Sequence, residues 1–241
     1  MDIRLESISK SYNKFDGPVI NNVSHTFSSG SFTALMGRSG SGKSTLLNII
    51  SGLLTPTSGD VLYGDKSLYR LNDMQRSSLR ARRTATIFQD YNLLEFLSVE
   101  ENILLAQRIN GKAKNSMSPH EALRMVGLEG YEKKMPNEIS GGQKQRVAIA
   151  RAISVRPSVI FADEPTGALD ESNSKIVVDL LRSVAQNNVT VVMVTHDPYI
   201  AAEAHCVLQL RDGSITNILN SPTPKSILEA MRSTSNNVKE M

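Results

Sequence analysis

What this sequence has little of narrows it first. Among 241 residues there is a single cysteine, Cys206, so no internal disulfide framework holds the chain together. A lone thiol suits a reducing compartment and reads as packing. No apolar run is long enough to cross a bilayer: the stretches at 46–54 and 189–194 are interrupted or far shorter than the ~20 residues a membrane helix needs. The opening Met1-Asp2-Ile3-Arg4-Leu5-Glu6 lacks the basic start and apolar centre of a secretion signal. The expectation is a chain that stays in the cytosol and reaches any membrane only through another protein. Nor does either charge dominate. Lys+Arg 27 against Asp+Glu 24 leaves +3, too balanced to require nucleic acid, and no nucleic-acid partner is expected.

What the chain does carry is a core's worth of apolar residues, 40% hydrophobic against 21% charged. That supports one globular α/β unit, or one core with a small subdomain. Its organising stretch is Gly37-Arg38-Ser39-Gly40-Ser41-Gly42-Lys43-Ser44-Thr45, which fits G-x-x-x-x-G-K-[ST] in full with a second hydroxyl behind it. Apolar residues precede it at 32–36 and follow it at 46–50, so the motif sits where a strand passes through a loop into a helix. Glycines let backbone N–H groups approach phosphate, and the helix behind them aims its positive dipole end at the anion. Lys43 is then in reach of the β- and γ-phosphates, and the Ser44 hydroxyl is placed to ligate Mg²⁺. The competing reading, a Gly/Ser-rich turn that binds nothing, leaves the coincidence of strand, loop, Lys-Ser pair and helix without a reason.

Around this cradle the pattern alternates. Ile3, Leu5 and Ile8, then Val23, mark two half-exposed strands joined by a turn at Asp16-Gly17-Pro18, and a third follows at 61–65, giving an antiparallel edge. Tyr12 ends the first strand, where an aromatic can stack on a purine face or simply pack. Residues 71–83 read as a helix bearing Arg76, Arg80, Arg82 and Arg83, a basic face read as solvated rather than as a phosphate or lipid site. A short strand at 85–88 ends at Gln89, whose carboxamide can touch Mg²⁺ or an attacking water. Helical patterns at 99–109 and 119–126, punctuated by Gly111, Gly127 and Gly130, predict an all-helical insertion over about 93–157.

Ser140-Gly141-Gly142-Gln143 then heads the helical run 147–153, a second anion-binding helix start in one chain. Since the first cradle already wraps the phosphates from its own side, this one is expected to close a nucleotide held by another copy. The apolar strand 158–162 ends in Asp163-Glu164, acids presented at the carboxyl end of a buried parallel strand. Asp163 is assigned to Mg²⁺ and Glu164 to the water that attacks the γ-phosphate. After Ala168-Leu169-Asp170 come a helix at 174–185 and a buried strand at 189–195 that ends at His196, which can hydrogen-bond a γ-phosphate. Strands at 206–210 and 214–218 close the fold, and the tail from Asn220 holds one helix at 226–232 and a polar end.

In this order, the nine-residue cradle, Gln89, Ser140-Gly141-Gly142-Gln143, Asp163-Glu164, Ala168-Leu169-Asp170 and His196 make the chain resemble ATP-binding cassette (ABC) transporter ATPases over residues 1–219. The resemblance implies an α/β P-loop NTPase fold: a mostly parallel core sheet, an N-terminal antiparallel edge and a helical subdomain, followed by a 220–241 tail. It implies Tyr12 as the adenine-stacking aromatic, Gln89, Glu164 and His196 as the catalytic set, and Ser44, Gln89 and Asp163 around Mg²⁺. It implies ATP as substrate and a head-to-tail homodimer with two ATPs at the interface. The one departure is Ile139, where the family usually has Leu, a conservative change.

The surroundings of Gln89, the approach Asn137-Glu138-Ile139-Ser140 and Ala162 before the acids look closest to the branch of macrolide and lipoprotein exporters, cell-division ATPases and bacitracin-type peptide-resistance transporters, the last above all. That implies an ATPase subunit on the inner face of the membrane, driving a separate permease that exports or removes antimicrobial peptides or similar amphipathic compounds. A lipoprotein-release or cell-division complex is the nearest alternative. Soluble ABC ATPases of DNA repair or chromosome structure would place a long coiled coil between Ser44 and Ser140, and translation-type members carry two cassettes. A small-molecule kinase would leave the Ser-Gly-Gly-Gln stretch and His196 without a purpose.

Overall fold

The computed structural model describes residues 1–13, 17–111 and 116–236, with the backbone alone for 233–236. Asp16 of the expected turn, and the polar end beyond Asn236, lie outside the described residues. In chain order the elements are β1 (Ile3–Lys10), β2 (Ile20–Phe27), β3 (Phe32–Met36), α1 (Lys43–Ile50), β4 (Ser58–Tyr63), β5 (Lys66–Ser67), α2 (Asp73–Arg83) and β6 (Thr84–Ile87). They continue with α3 (Val99–Ile109), α4 (Pro119–Met125), α5 (Gly141–Ser154), β7 (Val159–Asp163), α6 (Glu171–Gln186), β8 (Thr190–Val194), α7 (Pro198–Ala201), β9 (Cys206–Arg211), β10 (Ser214–Asn220) and α8 (Pro224–Asn236).

Two sheets result, and both match the expected α/β class. One is antiparallel, in the order β2-β1-β4-β5; the other runs β10-β9-β3-β8-β7-β6, parallel except where β10 turns back on β9. The reason lies in side-chain pattern. β3 and β8 are buried at every position and β7 at all but its last, as strands covered on both faces must be. β1 instead alternates, Ile3, Leu5 and Ile8 inward, because one of its faces meets solvent. One core gathers residues of β1 and β2 with Leu46, Leu47, Ile49 and Ile50 of α1 and Phe161, Val192 and Leu208 from the parallel sheet. The helix behind the glycine loop is therefore clamped by both sheets. Truncating Phe161, fully buried there, would cost about 3–5 kcal/mol.

The opposite face of the parallel sheet carries a second core, which unites β3, β7 and β8 residues with α3, α4, α5 and α6. Helices α3, α4 and α5 pack on one another, and α5 also packs on β6 and α6. Several helices differ in extent from the spacing. α6 starts at Glu171 rather than at 174, because the Asp170 side chain caps it by accepting from Asn173 N–H; its first turn is polar, so apolar periodicity is silent there. α8 runs to Asn236 rather than to 232, its start braced by reciprocal bonds between Thr223 and Ser226. The basic α2 buries no residue, in keeping with a solvated face, yet two of its arginines are tied into the fold. Arg80 donates to the Gly52 carbonyl at 2.8 Å, and Arg76 pairs with Asp73 and lies over the Tyr69 ring.

Candidate functional site

Strands β3, β8 and β7 are neighbours, and their carboxyl ends deliver the candidate site residues together: the glycine loop after β3, His196 after β8, Asp163-Glu164 at the end of β7. Crevices at such strand ends are where open α/β sheets bind ligands. A cavity of about 590 Å³ lies here, lined by Gly37 to Gly40, Gly42 to Thr45, Glu164, His196, Val19 and Met231.

The loop's shape is forced by its small residues. A Cβ on Gly37 would stand 2.2 Å from the Leu210 carbonyl oxygen and 2.5 Å from Ser41 Oγ, so only glycine fits between β9 and the loop. Gly42 has φ +98 and caps α1 without any side-chain hydrogen bond, and no acidic residue enters the first turn. That leaves the positive helix end to an anion. Lys43, buried, donates from Nζ to the Gly37 and Arg38 carbonyls, each at 2.9 Å. The ammonium thus braces the same loop whose anion it would meet. Ser41 Oγ is buried without a hydrogen-bond partner, a polar atom that a phosphate oxygen would satisfy. This donor set fits a triphosphate.

Ser44 Oγ donates to Asp163 Oδ1 at 3.5 Å. Burial, and next the neighbouring Glu164 charge, push the Asp163 carboxyl above the ordinary range, against the opposing pull of Ser44 and Lys43. An oxygen donor pair beside an unfavourable negative charge fits a hard divalent cation. Among the described residues no group of three His, Cys, Asp or Glu could hold a metal, so a cation here would share its coordination with phosphate oxygens, the usual habit of Mg²⁺. Glu164 sits in the left-handed region at φ +45, a strained conformation for a non-glycine residue. Its carboxylate lies 3.2 Å from His196 Nδ1.

Not every expected residue joins this cavity. Gln89 Nε2 instead lies 3.3 Å from where a Gly167 Cβ would stand, against the loop that follows Glu164. Tyr12 is 61% exposed at the end of β1, outside the cavity lining, with Lys10 Nζ 5.3 Å from its ring centroid. Ser140 caps α5, its Oγ accepting from Gln143 N–H at 3.3 Å while Gln143 Oε1 accepts from Ser140 N–H at 2.9 Å. Ser140 and Gly141 are exposed, and Gly142 is buried so closely against Asn173 that a Cβ would fall 2.3 Å from its Oδ1. None of residues 140–143 lines the cavity at the chain's own glycine loop. Sequence reasoning missed Val19 and Met231. Neither belongs to a motif, and Met231 reaches the cavity from α8, which buries Ile227 against the core.

The family described as ABC transporter matches residues 20–167. The chain is 44% identical over 199 residues to the macrolide export ATP-binding/permease protein MacB of Mannheimia succiniciproducens, covering 82% of this chain and 31% of that one. It is 40% identical over 219 residues to the ABC transporter ATP-binding protein YxdL of Bacillus subtilis, covering 89% and 85%. The chain thus spans about a third of the macrolide export relative and most of YxdL. Among solved structures it resembles the ATP-binding cassette MJ0796 in a dimeric post-hydrolysis state bound to ADP and Pi, with a TM-score of 0.81 and 34% identity over 92% of this chain and 99% of that one.

Proposed function

The chain belongs to the ABC transporter family, and from that premise we propose that it binds and hydrolyses ATP to power a separately encoded membrane permease. The observation that carries this reading is the meeting of Lys43, Ser44, Asp163, Glu164 and His196 at three adjacent strand ends. The loop N–H groups and Lys43 hold the phosphates, and Ser44 with Asp163 would hold Mg²⁺, which supplies charge neutralisation at the β- and γ-oxygens. Glu164 accepts the proton of the attacking water, His196 orients that carboxylate and meets the γ-phosphate, and Gln89 reaches the same water or the cation from the Gly167 side. Tyr12 stacks on the adenine. Residues 1–219 form the ATPase unit with its helical part over about 93–157, and 220–241 are an appended tail.

The exposure of Ser140 and Gly141 at the head of α5 supports a head-to-tail homodimer in which each chain completes its partner's ATP site. No helix among the described residues is long and apolar enough to cross a membrane, so attachment to the inner membrane face runs through the permease. Its cytoplasmic helix docks beside residues 92–101, where Phe96 is 76% exposed and a cavity of about 520 Å³ is lined by Phe88, Asn92, Leu94, Leu105 and Ile109. The cargo is an antimicrobial peptide or similar amphipathic compound, and the likeness to a macrolide exporter favours outward movement over uptake. Purified chain assayed for phosphate release, alone and with its permease against candidate peptides, tests the reading. A permease complex whose ATPase rate ignores every amphipathic compound would overturn the cargo assignment, and a chain without ATPase activity would overturn the function.

A further inference from the structure

Arg151 stands in the last turn of α5, eleven residues from Ser140 and beyond the Ser140-Gly141-Gly142-Gln143 stretch. Its guanidinium donates to two successive backbone carbonyls: Nη2 to Tyr91 O at 2.7 Å, and Nη1 to Asn92 O in a shorter contact. Those two residues make a tight turn immediately after Gln89. Tyr91 has φ +61 and Asn92 φ +50, consecutive left-handed residues, neither of them glycine. The turn is closed by Tyr91 N–H on Phe88 O at 3.2 Å and Asn92 N–H on Asp90 O at 2.6 Å. Such a pair of conformations persists only where the surroundings impose it. A planar fork that matches two converging carbonyls is the group suited to do so, since lysine offers one point charge instead.

The same turn touches the other end of α5. A Cβ on Gly141 would stand 3.0 Å from Tyr91 Oη, so the tyrosine lies against the first residue of the helix that Ser140 caps. Lys144 adds a 3.5 Å ion pair to Glu95, with the carboxylate 61% exposed, a contact that water and salt weaken. Arg151 is half-buried, and burial pulls its pKa below the ordinary guanidinium value without removing the charge. It also forms part of the wall of the 520 Å³ cavity beside residues 92 and 94. One guanidinium therefore joins the turn after Gln89 to the last turn of α5 and to the wall of that groove, while Tyr91 of the same turn reaches the helix's first residue.

We infer that Arg151 is a positioning residue that makes the turn after Gln89 and the Ser140-headed helix one rigid unit. On the proposed function, on which this rests, events at Gln89 beside one nucleotide then reposition the Ser140 start that closes the partner's nucleotide. Without the guanidinium the turn relaxes and Tyr91 leaves Gly141. Each chain still holds ATP by its own glycine loop, but closes its partner's site poorly.

The test is Arg151→Met, which keeps an apolar stem of similar reach, beside Arg151→Lys, each read three ways in the full chain. Affinity for a fluorescent ATP analogue, which the glycine loop governs, stays within about twofold of wild type. The catalytic rate at saturating ATP falls about tenfold or more in Arg151→Met and by an intermediate factor in Arg151→Lys, a loss in kcat rather than KM. Hydrogen exchange speeds up at the amides of Tyr91 and Asn92 and in the first turn of α5, ten residues from the substitution. Wild-type kcat in Arg151→Met overturns the inference. So does faster exchange confined to the last turns of α5, the signature of lost local packing. A wild-type chain that itself hydrolyses no ATP is a failure of the proposed function, and the exchange pattern at residues 91, 92 and 141–144 still decides whether Arg151 joins the two segments.

Discussion

His196 Nδ1 lies 3.2 Å from Glu164 Oε2, a contact made across adjacent strands whose ends are registered by Glu164 N–H donating to Val194 O at 3.1 Å. The carboxylate side chain is 27% exposed and the imidazole 68%, so the acid is open to solvent in part while the ring stands beside it. Glu164→Gln keeps the size and most hydrogen bonding but removes the proposed base. Hydrolysis should fall by at least ~10²-fold, the lower end of general acid–base contributions, while ATP still binds. The uncleaved nucleotides should then hold a dimer together, seen as an ATP-dependent shift in size-exclusion chromatography. His196→Ala should lower the rate less than Glu164→Gln if the ring only orients the acid. A Glu164→Gln rate near wild type removes the acid from the mechanism and turns attention to Gln89.

The residues that could be named from sequence are those whose neighbours in space are also neighbours in the chain. The glycine loop, Ser44 and Lys43 belong to one strand-loop-helix passage, and Asp163, Glu164 and His196 lie at or within two residues of the end of an apolar strand, so pattern placed them at strand ends. The parallel core was legible for the same reason, since unbroken apolar runs such as 159–162 and 190–194 suit only strands covered on both faces. Arg151 was not legible, because its partners Tyr91 and Asn92 lie 60 and 59 positions away and the helical pattern gives it no distinction. Met231 likewise meets the cavity through the packing of α8, and Gln89 turns toward Gly167 through backbone geometry that no spacing encodes.

Ser44 and Asp163 should act together on the cation. Asp163→Asn removes a half-buried charge whose pKa the fold raises, so the protein should fold at least as well, yet the Mg²⁺ concentration for half-maximal hydrolysis should rise about tenfold or more. Ser44→Ala should raise it in the same direction. A double variant no worse than the poorer single one identifies a shared site, because residues acting on one ligand are not additive. An unchanged Mg²⁺ titration in Asp163→Asn would falsify the assignment.

Gly37→Ala tests the cradle's geometry without touching a charge. The added carbon would fall 2.2 Å from Leu210 O, and backbone on both sides must move to admit it. The expected cost is about 1–3 kcal/mol of stability, a fall of roughly 2–4 °C in Tm per kcal/mol for a chain of this size. ATP affinity should fall as well, because the displaced carbonyl of residue 37 is one of the two that hold Lys43. Gly40→Ala is the control: it has open space around its Cβ position but φ +79, so it should show backbone strain without the collision.

Two variants together separate what a chain does for itself from what it does for its partner. Lys43→Ala removes the ammonium proposed to meet the phosphates and the brace on the Gly37 and Arg38 carbonyls, so the variant should lose both ATP binding and hydrolysis. Ser140→Arg places a bulky cation at an exposed helix start that does not line the chain's own cavity; it should bind ATP normally and still fail to hydrolyse it. Mixed in equal amounts, the two inactive variants pair so that half of all dimers carry one of each. In such a dimer one site joins the damaged loop to the damaged helix start, and the other joins an intact Lys43 to an intact Ser140. About a quarter of all sites are then complete, and single-turnover phosphate release from the mixture should recover to about that fraction of wild type. Release that stays at the level of the separate variants would mean that Ser140 serves its own chain, and a Ser140→Arg chain that loses ATP binding as badly as Lys43→Ala would point the same way.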